Sequence, residues 1–276
     1  MPDSIVMTMY NRPHYSRAVL DALSRCAGIK NYLIVICVEP GNEAVLRIAK
    51  SVNFAESKVY VNPERYGCSR NSYEAMRRGF ENSEFVIYVQ DDDQLAYDAL
   101  KYFEFCKNKF RGDGSVYTVC AWNLMKDPCP PSHNHRIMRR DLFISLTMAT
   151  WKDRWEERGG MRDNWDYGYK QGGWDVHINE HLRKGRWEVY PWLSRLGLRC
   201  VLWSIQPEGL RPRTPDVQAA YVLERAHPGA IVDLHDAPGL PGAPARTCAA
   251  LPAILDGLRQ GGYALVSVSR LLAAGP

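Results

Sequence analysis

The sequence predicts an α/β fold, and three observations carry that expectation. Short apolar runs rich in β-branched and aromatic residues recur at Ile5 to Met9, Tyr32 to Val38, Lys58 to Val61 and Phe85 to Val89. Between them lie stretches whose apolar residues return at helical spacing, as Val19, Leu20, Leu23 and Cys26 do. The third observation is bulk: 276 residues, 46% hydrophobic and 24% charged, suit a soluble globular chain with room for one large domain or two small ones. Alternation of strand and helix implies a parallel sheet with helices on both faces.

Each element has its own signal. Ile5 to Met9 reads as a strand, followed by the loop Tyr10-Asn11-Arg12-Pro13 and the helical run to Cys26. Tyr32 to Val38 is a second buried strand, broken by Glu39-Pro40-Gly41-Asn42. A helix over about Glu43 to Ser51, a short strand at Lys58 to Val61 and a helix over Ser72 to Phe80 precede the strand Phe85 to Val89. That strand stops abruptly on Gln90 and three carboxylates, Asp91, Asp92 and Asp93. Ligands of such sheets bind at the carboxyl ends of the strands, where Tyr10 to Arg12, Glu39 and Asp91 to Asp93 all fall.

The carboxylates point to chemistry. Three adjacent like charges raise one another's pKa, so a folded chain that concentrates them needs a cation beside them. Hard oxygen ligands suit Mg²⁺ or Mn²⁺, which in turn bind phosphate oxygens. Neither a G-x-G-x-x-G nor a G-x-x-x-x-G-K-[ST] follows the first strand, which leaves a dinucleotide fold and a P-loop without support. A net charge of +4 without a basic run supports no nucleic acid partner. What remains is a carboxylate-held metal on a nucleotide-sugar. The eight cysteines are scattered as in a chain of buried free thiols in a reducing compartment. With no signal-peptide pattern at the start and no apolar run of membrane-spanning length, the expected location is the cytoplasm.

Three stretches in order, Ile5 to Pro13, Asn62-Pro63-Glu64-Arg65-Tyr66-Gly67-Cys68-Ser69-Arg70-Asn71, and the acidic triplet, resemble inverting glycosyltransferases of the GT-A fold, a Rossmann-like nucleotide-diphospho-sugar transferase fold. The likeness is nearest to the N-acetylglucosaminyltransferases that branch N-glycans. It continues through Cys120-Ala121-Trp122-Asn123, Trp151 to Trp155 and Gly173-Trp174-Asp175, and ends at Tyr190 to Arg195. In that family an acidic triplet, usually Glu-Asp-Asp, is followed at a fixed distance by an Asp heading a helix, which Gln90-Asp91-Asp92 and Asp98 match with Gln in place of Glu. The resemblance puts the metal, Mn²⁺ or Mg²⁺, on Asp92, with Asp93 the alternative because the extra acid shifts the register by one. It implies a nucleotide-sugar donor, UDP-linked by preference, contacted by Tyr10, Asn11, Arg12, Glu39, Arg70 and Asp91, and a glycan or other hydroxyl acceptor.

The reaction asks for such parts on its own account. A departing nucleoside diphosphate develops negative charge that a divalent ion and a cation such as Arg12 or Arg70 stabilise. The acceptor alcohol needs a carboxylate as general base, and the family's base position falls on Asp175. Of Trp151, Trp155, Trp165 and Trp174, one or two are expected to stack on sugars and the rest to be core. Lys152, Asp153, Arg154, Glu156 and Glu157 read as a solvated helix face, and His133 and His135 as exposed polar sequence rather than metal ligands.

After Arg195 the composition shifts to Ala, Leu, Pro, Gly and Arg. Leu202 to Ile205, Pro228 to Asp236, the helical spacing of Leu251, Ile254, Leu255 and Leu258, and Tyr263 to Val268 read as strand, strand, helix, strand. This order, with Leu234-His235-Asp236, resembles the C-terminal third of NodB-type polysaccharide deacetylases, so the tail is expected to be a small α/β piece of a deacetylase barrel. The family's metal-binding Phe-Asp-Asp and H-x-x-x-H motifs have no counterpart here, which leaves His235 without a zinc. The expected division is therefore 1–195 and 196–276. The competing functions are a carbohydrate deacetylase, which lacks its metal triad, and a non-catalytic carbohydrate-binding module, which needs no metal or base.

Overall fold

The computed structural model of the chain describes residues 2–123, 131–133, 135–165, 174–182, 185–192, 204–205, 207, 214–234 and 243–273. The chain divides into two compact units, 1–199 and 200–276.

The first unit is a mixed α/β layer structure. Strand β1 (Asp3–Met9) leads into helix α1 (Pro13–Ser24), then β2 (Tyr32–Val38), α2 (Glu43–Lys50), β3 (Glu56–Val61), α3 (Gly67–Phe80), β4 (Phe85–Val89) and α4 (Ala99–Phe110). β5 (Val116–Cys120), β6 (Ile137–Arg140), β7 (Met148–Trp151), α5 (Lys152–Glu156), α6 (Trp174–Leu182) and β8 (Trp187–Pro191) follow. The strands form one sheet in the order β3-β2-β1-β4-β7-β5-β8-β6. The first four are parallel, as the alternation of strand and helix predicts. Beyond β4 that expectation fails: β7 runs antiparallel to both β4 and β5, and β6 antiparallel to β8, so the sheet is mixed.

Period-two alternation sorts the side chains to two cores. Ile5, Met7, Ile34, Ile36, Phe85 and Ile87 meet Val19, Leu23, Val45, Phe103 and Cys106 on one face. Val6, Val35, Val86 and Tyr88 meet Ala75, Met76, Phe80, Trp155 and Trp174 on the other. Helix α3 begins five residues before the periodic run that predicts it, because Gly67-Cys68-Ser69-Arg70-Asn71 is polar and its first turn is held from outside by Glu39. Met9 is level with Val38 and Met7 with Val89, so the chain leaves β1, β2 and β4 along one edge.

The second unit keeps the helix expected through Leu251 to Leu258 and departs from the rest of its strand, strand, helix, strand series. It holds α7 (Pro215–Arg225), α8 (Ala243–Gln260) and α9 (Val268–Ala273) around Ile205, Ala219, Val222, Ala250, Ile254 and Leu258. Its described strand pairing is one bridge between Ile205 and Val232. Tyr263 to Ser267 is irregular, with Leu265 and Val266 exposed, because an apolar run without a neighbouring ladder has nowhere to satisfy its backbone as a strand. His235 lies outside the described residues. Among the described residues no helix is long and apolar enough to cross a membrane.

Candidate active site

The loop after β1 and the loop after β4 meet at the carboxyl edge of the sheet. Pro13 at the first position of α1 turns the chain immediately after Arg12, which leaves the Arg12 side chain beside the neighbouring strand's end. Its guanidinium spans two carboxylates, donating through Nη1 to Asp92 Oδ2 at 2.8 Å and through Nη2 to Asp91 Oδ1. Asp91 is buried, and burial pushes its pKa up against the pull of Arg12. Burial alone would lower Arg12, but the two aspartates outweigh it and hold the guanidinium more firmly charged than usual. Asp92 is the half-exposed member, and its Oδ1 is a buried atom without a hydrogen-bond partner.

Asp93 has a different occupation from the one expected beside Asp92. It is 2% exposed and turned inward, where Oδ2 accepts from the Thr147 N–H at 2.8 Å and from Thr147 Oγ1 at 2.9 Å. Burial pushes its carboxyl up to about 6. Thr147 adopts φ +37°, the left-handed region that a β-branched residue rarely enters, and these hydrogen bonds hold it there. Gln90 anchors the same segment, donating through Nε2 to the Ser145 carbonyl at 3.0 Å.

The remaining expected donor-binding residues divide. Asn11 is exposed and Tyr10 partly so, with the Arg65 guanidinium 4.6 Å above the Tyr10 ring. Glu39 is buried and caps α3 from the side: its carboxylate accepts from the Tyr66 and Gly67 N–H groups at 2.9 and 2.8 Å. Asn62, joined to Glu39 and Asn71, completes that support. Arg70 lies 3.6 Å above the Tyr66 ring and pairs with Glu64.

Asp175 stands in the first turn of α6, half-buried. Its neighbour Trp174 packs edge-on against Tyr88 at 6.1 Å, which sets the start of α6 over the second core face of β4. The Tyr88 hydroxyl hydrogen-bonds Thr8 on β1 at 3.2 Å, and burial, reinforced by Asp93 and Asp91, pushes its pKa well up. Gly172 and Gly173 lie outside the described residues.

Several plainer expectations need correction. Trp151, Trp155, Trp165 and Trp174 are all buried, at 0, 2, 4 and 5% exposure, so none of the four offers a ring face to an acceptor. Trp165 and Trp174 stack on each other, 4.1 Å apart and nearly parallel. Arg154 belongs to no solvated face: it is buried over Trp151 and donates to the carbonyls of Phe110, Arg111 and Asp113, which satisfies the end of α4. Of the cysteines described, Cys68 and Cys248 are exposed while Cys26, Cys37, Cys106 and Cys120 are buried. His135 is exposed as expected, whereas His133 packs edge-on against Trp192 at 5.5 Å.

A divalent ion at this edge would need ligands from its substrate beside those of the protein. Among the described residues no group of three or more His, Cys, Asp or Glu side chains is arranged to hold a metal. The orphaned Oδ1 of Asp92 is nevertheless a hard oxygen donor at a strand end, and Mg²⁺-type sites commonly use one or two carboxylates plus phosphate oxygens.

The mixed sheet with helices on both faces matches the nucleotide-diphospho-sugar transferase, GT-A-like fold. The chain is similar to Staphylococcus aureus (S. aureus) TarS residues 1–349 in complex with UDP, with a TM-score of 0.56 and 15% identity over 94% of this chain and 72% of that one. The same TarS fragment in complex with UDP-GlcNAc gives 0.55 and 14%, over 94% and 73%. A longer TarS chain gives 0.55 and 15%, and there this chain spans 49% of the length. No family model matches the chain. Unit one holds 199 of the 276 residues, so a match over 94% runs into the second unit, and the deacetylase likeness of the tail gains no support from its helical structure.

Proposed function

We propose that the chain is an inverting glycosyltransferase that moves a sugar from a nucleotide-diphosphate donor, UDP-linked by preference, to a hydroxyl acceptor. The observation that carries this reading is the Arg12, Asp91 and Asp92 cluster at the carboxyl edge between β1 and β4, in a fold shared with a TarS fragment that binds UDP and UDP-GlcNAc. Tyr10, Asn11 and Asp91 face the nucleotide, and Glu39 serves it indirectly by fixing the start of α3. Asp92 would hold Mn²⁺ or Mg²⁺, which when bound supplies positive charge to the diphosphate. Arg12 supplies charge of the same sign and holds Asp91 and Asp92 in place. Asp175 takes the proton of the acceptor hydroxyl, whose oxygen bonds to the anomeric carbon as the bond to the diphosphate oxygen breaks on the opposite side.

Calorimetry with UDP, in Mn²⁺ and in EDTA, tests the donor site. UDP binding should tighten with Mn²⁺, and Asp92→Asn should weaken the metal-assisted binding by roughly 10-fold or more, the scale of losing a charged ligand. Equal affinity in Mn²⁺ and EDTA would remove the metal from the reading, and absence of UDP and GDP binding would remove the donor.

A further inference from the structure

The geometry points to Asn179 as a positioning residue for Asp175, acting through the segment from Asp141 to Thr147; this rests on the glycosyltransferase reading above. Asn179 lies one helical turn beyond Asp175 on α6. Its Nδ2 donates to the Asp175 carbonyl at 3.0 Å and to the Phe143 carbonyl at 3.0 Å, while its Oδ1 accepts the Phe143 N–H at 2.7 Å. One amide side chain thus closes a reciprocal pair with the backbone of residue 143 and ties it to the backbone of Asp175.

The segment so held is itself anchored on the acidic edge. Ser145 accepts from Gln90 and Thr147 donates to Asp93, the residues on either side of Asp91 and Asp92. Ile144 N–H donates to Glu188 Oε1 at 3.1 Å, and the Glu188 carboxylate is fixed in turn by Arg140 and Thr118. Phe143 is 2% exposed and packs edge-on against Trp174, so the segment has little room to shift. The consequence is a chain of short contacts, Asp175 to Asn179 to Phe143, then along four residues to Ser145 and Thr147, and from there to Gln90 and Asp93. The general base and the donor-binding acids come from elements more than eighty positions apart in sequence, and this strap is what holds them in register. Transfer needs near-attack geometry, and a displacement of about 1 Å costs on the order of 100-fold in rate.

The test compares Asn179→Leu, Asp175→Asn and the double variant in the full chain. Donor turnover, with water as the acceptor that takes the sugar, is followed as UDP or GDP release from a panel of UDP- and GDP-hexoses. Asn179→Leu should lower kcat by about 10- to 100-fold with donor KM within about 2-fold, the signature of a lost transition-state interaction. In the Asp175→Asn background the same change should cost less than about 3-fold more, because the two residues act as one unit. Losses that multiply in the double variant, or a shift carried by KM, would overturn the inference. So would normal turnover of Asn179→Leu beside a crippled Asp175→Asn. Normal turnover of Asp175→Asn would instead remove Asp175 as base, and no turnover of any panel member by the unaltered chain would remove the reading on which both rest. Hydrogen exchange separates positioning from unfolding: the Phe143 amide should exchange faster in Asn179→Leu while the Thr147 amide, held by Asp93, stays protected. Equal acceleration of both would assign Asn179 a purely structural role.

Discussion

Glu188 is fully buried in the sheet, with its carboxylate accepting from Arg140 at 2.6 and 2.8 Å, from Thr118 and from the Ile144 N–H. Burial outweighs those partners and pushes its pKa up to about 7. An unfolded glutamate titrates at about 4.3, so between about pH 4.3 and 7 the native chain holds a proton that the unfolded chain has released. The contribution is therefore full below about pH 4.3 and is lost as pH rises through about 7. Denaturant midpoints measured across that window should fall with rising pH, and Glu188→Gln should flatten the slope; an unchanged slope would assign the pH dependence to other groups. At this scale the sequence is legible where chemistry is dense along the chain. Asp91 to Asp93 announce themselves by adjacency, and Arg12 by its place after a strand. Thr147, Asn179 and Glu188 carry no such mark, because each acts through partners 36 to 70 positions away.

Helices are legible by their apolar faces, and the errors fall where another element substitutes for that signal. The first turn of α3 is polar and is stabilised by Glu39, so periodicity finds only the later turns. Helix α7 opens with Thr214 accepting from Val217 N–H and Pro215 in the first turn, but its apolar stripe is sparse, so periodicity does not mark it. The tryptophans misled for the reverse reason: an aromatic cluster is equally suited to sugars and to cores, and sequence does not reveal that Trp155, Trp165 and Trp174 lean on one another. Gly79 shows how closely α3 is set on the sheet. A methyl group there would lie 2.5 Å from Val6 Cγ1 and 3.0 Å from Val86 Cγ1, both fixed in the second core. Gly79→Ala gains about 1 kcal/mol of helix propensity but meets an overpacking cost of about 1–3 kcal/mol, for a net loss seen as a lower melting temperature. An equal or higher melting temperature would mean that α3 can slide away from β1 and β4.

On the scale of the molecule, both extended cores and every residue assigned to the donor, the metal and the base lie in residues 1–199. The acidic edge is built from β1, β2 and β4, and the strap runs between β6 and β7. Among the described residues the second unit's cluster holds six buried apolar residues, and Leu251, Leu265, Val266 and Val268 are exposed. A segment of that length stands near the lower limit of independent stability. The tail is harder to read, because a short apolar run does not by itself distinguish a strand from an irregular segment, and Tyr263 to Ser267 is irregular. A fragment of residues 1–199 should therefore unfold in one cooperative transition and bind UDP within about 3-fold of the full chain, while residues 200–276 alone should show no cooperative melt. Calorimetry on the two fragments and the full chain decides it, since loss of UDP binding in 1–199 would place part of the donor site in the second unit.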